Sequence, residues 1–297
     1  MCNSGKVCAV RGGGTILFPF LKVALLVLLF TSVSRTFLVW RLSSRVVGSD
    51  AWQHIFLQGL RIDLVLVGYV LIVPAAATLL SIKMPRWREP AAVFSQYYCA
   101  MVLVLIFYLE LASPPFIEEY DSRPNYLFVE YLMYPKEVFS TLWKEYKVNL
   151  LAAGVLVPLV FVAGVRIFSF RKACTARISG LAFLMLLVFS PALLTLMIRS
   201  SVGHRPINPA KVAFSKDPLV NDLVLNSTYS MFYSLYQKYR HDSRYTPLGG
   251  ISDKRMLKLL EERAAMQEAS DVDLPFKPYN VVVILEESLG AEFVGSL

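Results

Sequence analysis

Five long apolar runs dominate the pattern of hydrophobic and polar positions along this chain. They cover about residues 15–33, 62–82, 91–111, 148–165 and 178–198. A helix needs about 20 predominantly apolar residues to cross the hydrocarbon core of a bilayer, and each run is close to that length. The pattern therefore predicts a membrane domain of five spanning helices within residues 1–200.

The first apolar run has two interpretations. Lys6 and Arg11 precede it, and the small residues Ser32 and Ser34 flank Val33 near its end, as at a signal-peptide cleavage site. The run is nevertheless longer than the ~7–15 apolar residues of a signal-peptide core. We therefore expect an uncleaved membrane anchor. Five spans then place the two ends of the chain on opposite sides of the membrane.

Composition supports the membrane class and excludes some others. Hydrophobic residues make up 56% of the chain, more than in most soluble domains. The net charge of +8 comes from short basic clusters between apolar runs, not from one basic stripe with exposed aromatic rings, so we expect no nucleic-acid partner. The four cysteines form no metal-type pair, and they predict neither a zinc site nor a disulfide framework.

The basic residues also predict an orientation. They are dense in the second and fourth loops, at Lys83, Arg86, Arg88, Arg166, Arg171, Lys172 and Arg177. Short loops rich in Lys and Arg remain in the cytoplasm. The opposite loops carry basic residues at lower density. We therefore expect a cytoplasmic N-terminus and an external C-terminal region.

The third loop, residues 112–147, is long and aromatic. We expect Pro114 and Pro115 to end the third helix, and Glu110 just before them to be hydrated at the outer interface. The ring-bearing residues of the loop are Phe116, Tyr120, Tyr126, Phe128, Tyr131, Tyr134, Phe139, Trp143 and Tyr146. Such side chains suit the headgroup zone of a bilayer, so the loop is expected to form short helices that rest on the outer leaflet.

Residues 201–279 are expected to form external juxtamembrane and linker helices. Apolar residues recur at helical spacing over residues 219–239, but interspersed Asn, Ser, Thr and Asp residues argue against a sixth span. A further helix is predicted to follow Ser252, a suitable N-cap residue.

Residues 281–285 form a short run of β-branched and aliphatic residues that is typical of a buried parallel strand. Glu286 and Glu287 follow at its carboxyl end, where ligands bind in α/β sheets. Two interpretations of these carboxylates stay open. They solvate the end of a strand, or one of them binds a divalent metal ion beside a phosphate.

The sequence of residues 280–297, "NVVVILEESLGAEFVGSL", resembles the opening of the catalytic domain in the lipoteichoic acid synthase and phosphoglycerol transferase family. This family belongs to the sulfatase and alkaline phosphatase superfamily. Residues 59–64, 122–138 and 205–226, together with the five-span layout, are also similar to bacterial members. The resemblance implies an α-helical membrane domain, linker helices and, from residue 280, the beginning of an α/β sulfatase-like domain.

The resemblance also implies chemistry. Glu287 matches the first metal-ligand glutamate of the family, which uses a divalent ion such as Mn²⁺, Mg²⁺ or Zn²⁺. The family's threonine nucleophile and its later Asp-His pair are expected beyond Leu297, so the chain by itself is expected to be inactive. The implied reaction is transfer of phosphoglycerol from a phosphatidylglycerol-type lipid to a glycan or polymer acceptor, at the outer face of a bacterial inner membrane.

Two other functions stay open. A phosphoethanolamine transferase of the same superfamily would have Thr where this chain has Ser288. A non-catalytic membrane module that binds lipid or a partner is the second alternative. An internal-repeat transporter is disfavoured because the five runs show no paired halves.

Three arginines are candidates for binding a lipid headgroup: Arg61, Arg123 and Arg205. The competing interpretation of Arg61 is interfacial anchoring at the start of the second span, with Asp63 on nearly the opposite helix face. The competing interpretation of Arg123 and Arg205 is that each is a plain surface charge.

Overall fold

The computed structural model describes residues 12–46, 49–176, 178–201, 203, 206–242 and 252–268. The predicted strand at residues 281–285, the candidate metal ligand Glu287 and the candidate headgroup ligand Arg205 lie outside the described residues.

The described residues are predominantly helical and contain no strand. In chain order their α-helices are α1 (Gly12–Arg41), α2 (Ser49–Lys83), α3 (Arg88–Tyr120), α4 (Tyr126–Tyr131), α5 (Pro135–Glu145), α6 (Lys147–Ile167), α7 (Arg171–Cys174), α8 (Gly180–Arg199), α9 (Pro209–Val212), α10 (Pro218–Asp222), α11 (Ser227–Asp242) and α12 (Asp253–Glu268). The prediction of five helices long and apolar enough to cross a membrane is confirmed, and they are α1, α2, α3, α6 and α8.

Three of these helices extend well beyond their apolar runs at one end. α1 continues to Arg41, α2 already begins at Ser49, and α3 continues to Tyr120. The prediction that Pro114 and Pro115 end the third helix is wrong. Each proline removes a helical hydrogen bond, but Phe116 and Ile117 in the next turn are buried, and their packing holds the chain in helical form.

The helices of the bundle approach each other closely at small residues. A Cβ atom on Gly164 of α6 would lie 3.2 Å from the Cβ of Ala100 on α3, and one on Gly68 of α2 would lie 2.8 Å from the side chain of Ile198 on α8. Small residues allow such close backbone approach in membrane helices. α6 therefore packs on α3, and α8 packs on α2.

Residues 168–174 close one end of the bundle. Phe168 and Phe170 are fully buried, and the ring of Phe170 meets Phe20 of α1 edge to face at 5.3 Å. Arg171 forms an ion pair with Glu89 of α3 at 3.5 Å. The predicted cytoplasmic loops lie at this end.

Residues 206–242 belong to the same compact unit as the five long helices. The prediction of one helix over residues 219–239 is wrong, because α10 and α11 are separated by the turn of residues 223–226. This turn is buried, and Asn226 caps α11 by accepting a hydrogen bond from the Tyr229 N–H (2.8 Å). The prediction of a helix after Ser252 is confirmed by α12, which belongs to a second unit.

The third loop contains the expected short helices, α4 and α5. The exposed large apolar side chains of residues 126–145 are Tyr131, Leu132, Met133, Tyr134, Phe139 and Trp143. Contact of this surface with the outer leaflet stays a prediction.

Candidate functional site

A buried ion pair joins α1 and α2 at the end of the bundle opposite to residues 168–174. Arg35 donates to the two carboxylate oxygens of Asp63, with nitrogen to oxygen distances of 2.7 and 2.8 Å. The side chains are 2% and 0% exposed. Charges buried this deeply persist only when they are paired and hydrogen-bonded.

Arg35 also holds the turn of residues 223–226 against the bundle. Its Nε donates to the carbonyl of Leu223 (3.3 Å), and its Nη2 donates to the carbonyls of Val224 (3.3 Å) and Gly59 (3.4 Å). All three nitrogens of its guanidinium group therefore have partners. The same side chain connects α1, α2 and the juxtamembrane segment.

Asn226 and Gly59 complete the surroundings of this pair. The amide of Asn226 donates to Oδ1 of Asp63 (3.0 Å). A Cβ atom on Gly59 would lie 2.5 Å from the Arg35 guanidinium, so only glycine leaves room for the arginine. On α2, Asp63 thus supplies a carboxylate. One turn earlier, Gly59 supplies a carbonyl and the space that the guanidinium group occupies.

A second buried ion pair joins Arg123, just after α3, to Glu110 on that helix. The Nη1 of Arg123 lies 3.1 Å from Oε2 of Glu110. Arg123 is 1% exposed and Glu110 is 7% exposed. The expectation that Glu110 is hydrated is therefore wrong, as is the interpretation of Arg123 as a surface charge. A basic partner thirteen residues along the chain folds back over the end of α3 and shields the carboxylate from solvent.

The Glu110 carboxylate also binds the N-terminus of α11. Its Oε1 accepts from the backbone N–H of Ser227 (2.7 Å), and its Oε2 accepts from the hydroxyl of Ser34 on α1 (2.5 Å). The hydroxyl of Ser227 lies 2.5 Å from that of Ser113. A carboxylate suits the positive end of a helix dipole. α11 is therefore anchored to α1 and α3 by one side chain.

The two buried ion pairs, Arg35–Asp63 and Arg123–Glu110, form a buried ionic cluster whose electrostatics differ from those of the more exposed residues at its rim. Burial lowers the pKa of Arg123, against the opposing effect of Glu110, and burial raises the pKa of Asp222. At the rim, Arg45 forms a two-bond ion pair with Asp217 (2.8 Å for each bond) and also pairs with Asp121. The hydrogen bonds from Arg45 lower the pKa of Asp217.

Arg61 lies outside this cluster. It is exposed on α2, and it donates to the carbonyl of Ser200 (2.6 Å) and to the side chain of Gln58 (2.7 Å). The expected opposition of Arg61 and Asp63 across the helix is confirmed, since Asp63 is fully buried. Arg61 thus contacts the residue that follows the C-terminal end of α8, and both interfacial anchoring and headgroup binding by Arg61 stay predictions.

The sequence pattern does not reveal the role of Arg35, because the first apolar run ends near residue 33 and places Arg35 in the following loop. The available signal was the run from residue 15 to residue 41, which contains no helix breaker after Pro19. A charge that interrupts such a run near its end is a candidate for a buried pair. The partner, Asp63, had been recognised only as the neighbour of Arg61.

No metal site is visible in the part of the chain that the structure describes, where no group of three or more His, Cys, Asp or Glu side chains comes together. No protein-family model and no solved structure matches the chain.

Proposed function

We propose that this chain is the membrane-embedded part of a phosphoglycerol transferase similar to lipoteichoic acid synthase. The five long apolar helices support an anchor in the membrane. The resemblance of residues 280–297 to the start of a sulfatase-like domain supports the transferase class. The donor would be a phosphatidylglycerol-type lipid of the outer leaflet, and the acceptor a glycan or polymer.

One structural observation carries most of this proposal. Three distant segments that resemble the family, residues 59–64, 122–138 and 205–226, each contribute a buried residue to the ionic cluster, namely Asp63, Arg123 and Asn226. Asn226 donates to Asp63, and the backbone N–H of Arg123 donates to Asp222 (3.4 Å). Their common location accounts for a pattern that is spread over more than 150 residues of sequence.

The arrangement suits an enzyme whose donor and product stay in the bilayer. Residues 206–242 are fixed to the same end of the bundle as the buried cluster, which we assign to the outer side. A catalytic domain that follows them in the chain would be covalently attached to the membrane anchor. A lipid substrate then needs no extraction into water, and the diacylglycerol product remains in the leaflet.

Glu287 is the proposed metal ligand within this chain. A divalent ion bound there would neutralise charge on the phosphodiester and lower the pKa of a hydroxyl nucleophile. The nucleophile and the further ligands are assigned to sequence after Leu297.

The test uses the protein encoded by the complete reading frame that contains this chain. It is reconstituted with phosphatidylglycerol labelled in its acyl chains and with Mn²⁺, and the release of labelled diacylglycerol is measured. We expect Glu287→Gln to reduce release at least 100-fold, because a metal ligand is lost. Glu286→Gln is the matched control and is expected to remain active, since neighbouring strand residues point to opposite faces.

Three results would count against the proposal. Release from labelled phosphatidylethanolamine but not from phosphatidylglycerol would assign the chain to the phosphoethanolamine transferases. Equal activity of the Glu286→Gln and Glu287→Gln variants would remove Glu287 from the metal site. If the complete protein without substitutions releases diacylglycerol from neither lipid, the result would favour a non-catalytic membrane module.

A further inference from the structure

The two buried arginines of the cluster differ in how fully they are hydrogen-bonded. All three nitrogens of Arg35 have acceptors. In Arg123 only Nη1 has acceptors, namely Glu110 (3.1 Å) and the hydroxyl of Ser227 (3.0 Å). Its Nε and Nη2 have no hydrogen-bond partner within the described chain, although both atoms are buried. A buried donor left unsatisfied is unfavourable, so an additional acceptor would stabilise this site.

The two unpartnered nitrogens form one recognition edge. Nε and Nη2 lie on the same side of a guanidinium group, and their N–H bonds point in parallel. This fork matches two oxygens of a phosphate or a carboxylate. Nη1, which binds Glu110, lies on the other side of the group. Arg123 thus holds its structural partner with one side and presents the opposite side for a second anion.

The nearby carboxylates do not occupy this edge. Glu110 already accepts from Arg123 Nη1, Ser34 and the backbone of Ser227. Asp222 accepts from the backbone N–H of Arg123 rather than from its guanidinium group. The acceptor for the fork is therefore not supplied by the acidic side chains that face Arg123.

A third unpartnered group belongs to the residue that follows Ser227 in the chain. The hydroxyl of Thr228 is buried without a hydrogen-bond partner in the described residues, and Thr228 follows Ser227, which Arg123 contacts directly. Both residues belong to the first turn of α11, a helix of 16 residues. The positive end of the helix dipole adds to the preference for an anion.

We propose that the Nε and Nη2 edge of Arg123, together with the Thr228 hydroxyl, binds the phosphodiester group of a membrane phospholipid. Arg123 lies three residues after the end of α3, a helix long and apolar enough to cross a membrane, so lipid is the nearest source of a phosphate group. This position favours a lipid phosphate over a free one. The identification of the bound lipid as the donor substrate rests on the proposed function. The binding of a phospholipid at this site does not depend on that function.

The burial of the fork has a consequence for affinity. Both nitrogens are covered by protein, so a lipid must displace the residues that cover them. The observed affinity is reduced by the fraction of molecules in which the edge is open. We therefore expect saturable but moderate binding rather than permanent retention of one lipid.

The experiment measures phospholipid binding by the purified chain, through the shift in thermal unfolding temperature in detergent. Phosphatidylglycerol, diacylglycerol and inorganic phosphate are added separately at the same free concentration. Because a ligand that binds the folded state stabilises it, we expect a saturable upward shift with phosphatidylglycerol. Diacylglycerol lacks the phosphate and is expected to give none. Inorganic phosphate is expected to give a much smaller shift.

Two variants locate the binding. Thr228→Val should weaken phosphatidylglycerol binding about tenfold, while the unfolding temperature without lipid stays equal or rises, because a buried unpartnered hydroxyl is replaced by a methyl group. Arg123→Lys keeps the charge beside Glu110 but loses the fork, and it should weaken binding further. Thr141→Val is the matched control, since the Thr141 hydroxyl is exposed on α5 and bonds only to its own helix.

The outcomes separate this inference from the proposed function. If the Thr228→Val variant binds phosphatidylglycerol as tightly as the wild type does, the inference is overturned, even if Arg123→Lys fails to fold. A shift with inorganic phosphate equal to that with phosphatidylglycerol would also overturn it, in favour of a free-phosphate site. Lipid binding by this chain combined with no diacylglycerol release by the complete protein would leave the site standing and remove only the transferase assignment.

Discussion

Arg35 of α1 and Asp63 of α2 form two nearly parallel hydrogen bonds, 2.7 and 2.8 Å long, with both side chains buried. Each of the two residues also forms hydrogen bonds to other partners. Arg35 binds carbonyls of the turn at residues 223–226, and Asp63 binds Asn226. The pair is therefore one of the points at which the membrane bundle and the juxtamembrane segment meet.

The substitution Asp63→Asn should strongly destabilise the chain. It leaves the Arg35 charge buried without a counter-charge, and breaking one partner of such a pair costs about 3–5 kcal/mol. The free energy of unfolding in detergent micelles is the measurement. Replacing both residues at once, as Arg35→Met with Asp63→Leu, should cost less than Asp63→Asn alone. A double variant that is less stable than either single variant would contradict this account.

Gly59→Ala should destabilise the chain by about 1–3 kcal/mol, the usual effect of overpacking. The new Cβ would lie 2.5 Å from the Arg35 guanidinium, which its hydrogen bonds prevent from moving aside. Gly154→Ala on α6 is the matched control, because nothing lies within 4 Å of a Cβ there. Thermal unfolding of both variants is compared. Equal unfolding temperatures would show that Arg35 is not fixed as described.

Acid stability should depend on Asp217. Arg45 lowers its pKa in the folded state, so the pair stabilises the fold above the unfolded pKa of about 3.9 and loses this effect as the pH falls through the folded value. The unfolding temperature of the Asp217→Asn variant should therefore fall less between pH 6 and pH 3 than that of the wild type. At pH 7 the difference should stay below about 1 kcal/mol, since the pair is partly exposed.

A matched control for the pH series is Glu137→Gln on α5. The Glu137 carboxylate forms no ion pair in the described part of the chain, and its substitution should leave the pH profile unchanged. An Asp217→Asn profile that coincides with the wild type would show that the Arg45 pair does not contribute.

The predicted orientation can be tested with single cysteines in a background that lacks Cys2 and Cys8. Cys99 and Cys174 are buried and should not react. Met133 follows α4 and is 75% exposed, whereas Met84 lies between α2 and α3 and is 51% exposed. In intact cells a membrane-impermeant maleimide should label Met133→Cys but not Met84→Cys. Labelling of Met84→Cys alone would reverse the orientation.

The membrane helices were predictable because their signal is local. Twenty consecutive apolar residues are sufficient to identify a span, whatever it packs against. The ends of these helices were not predictable in the same way. Charged residues such as Arg35 and Glu110 indicate a helix end only if they are solvated, and solvation depends on distant partners. Both are instead buried beside residues that follow much later in the chain.

The sequence by itself determined that this is a membrane protein, the number of its apolar spans and the helix that follows Ser252, since each depends on composition and short-range periodicity. Only the tertiary structure decided that Arg35 pairs with Asp63 beside the turn at residues 223–226, and that Arg123 pairs with Glu110 beside the N-terminus of α11. Burying a charge is favourable only when several segments supply its partners together, and no single segment of sequence carries that information.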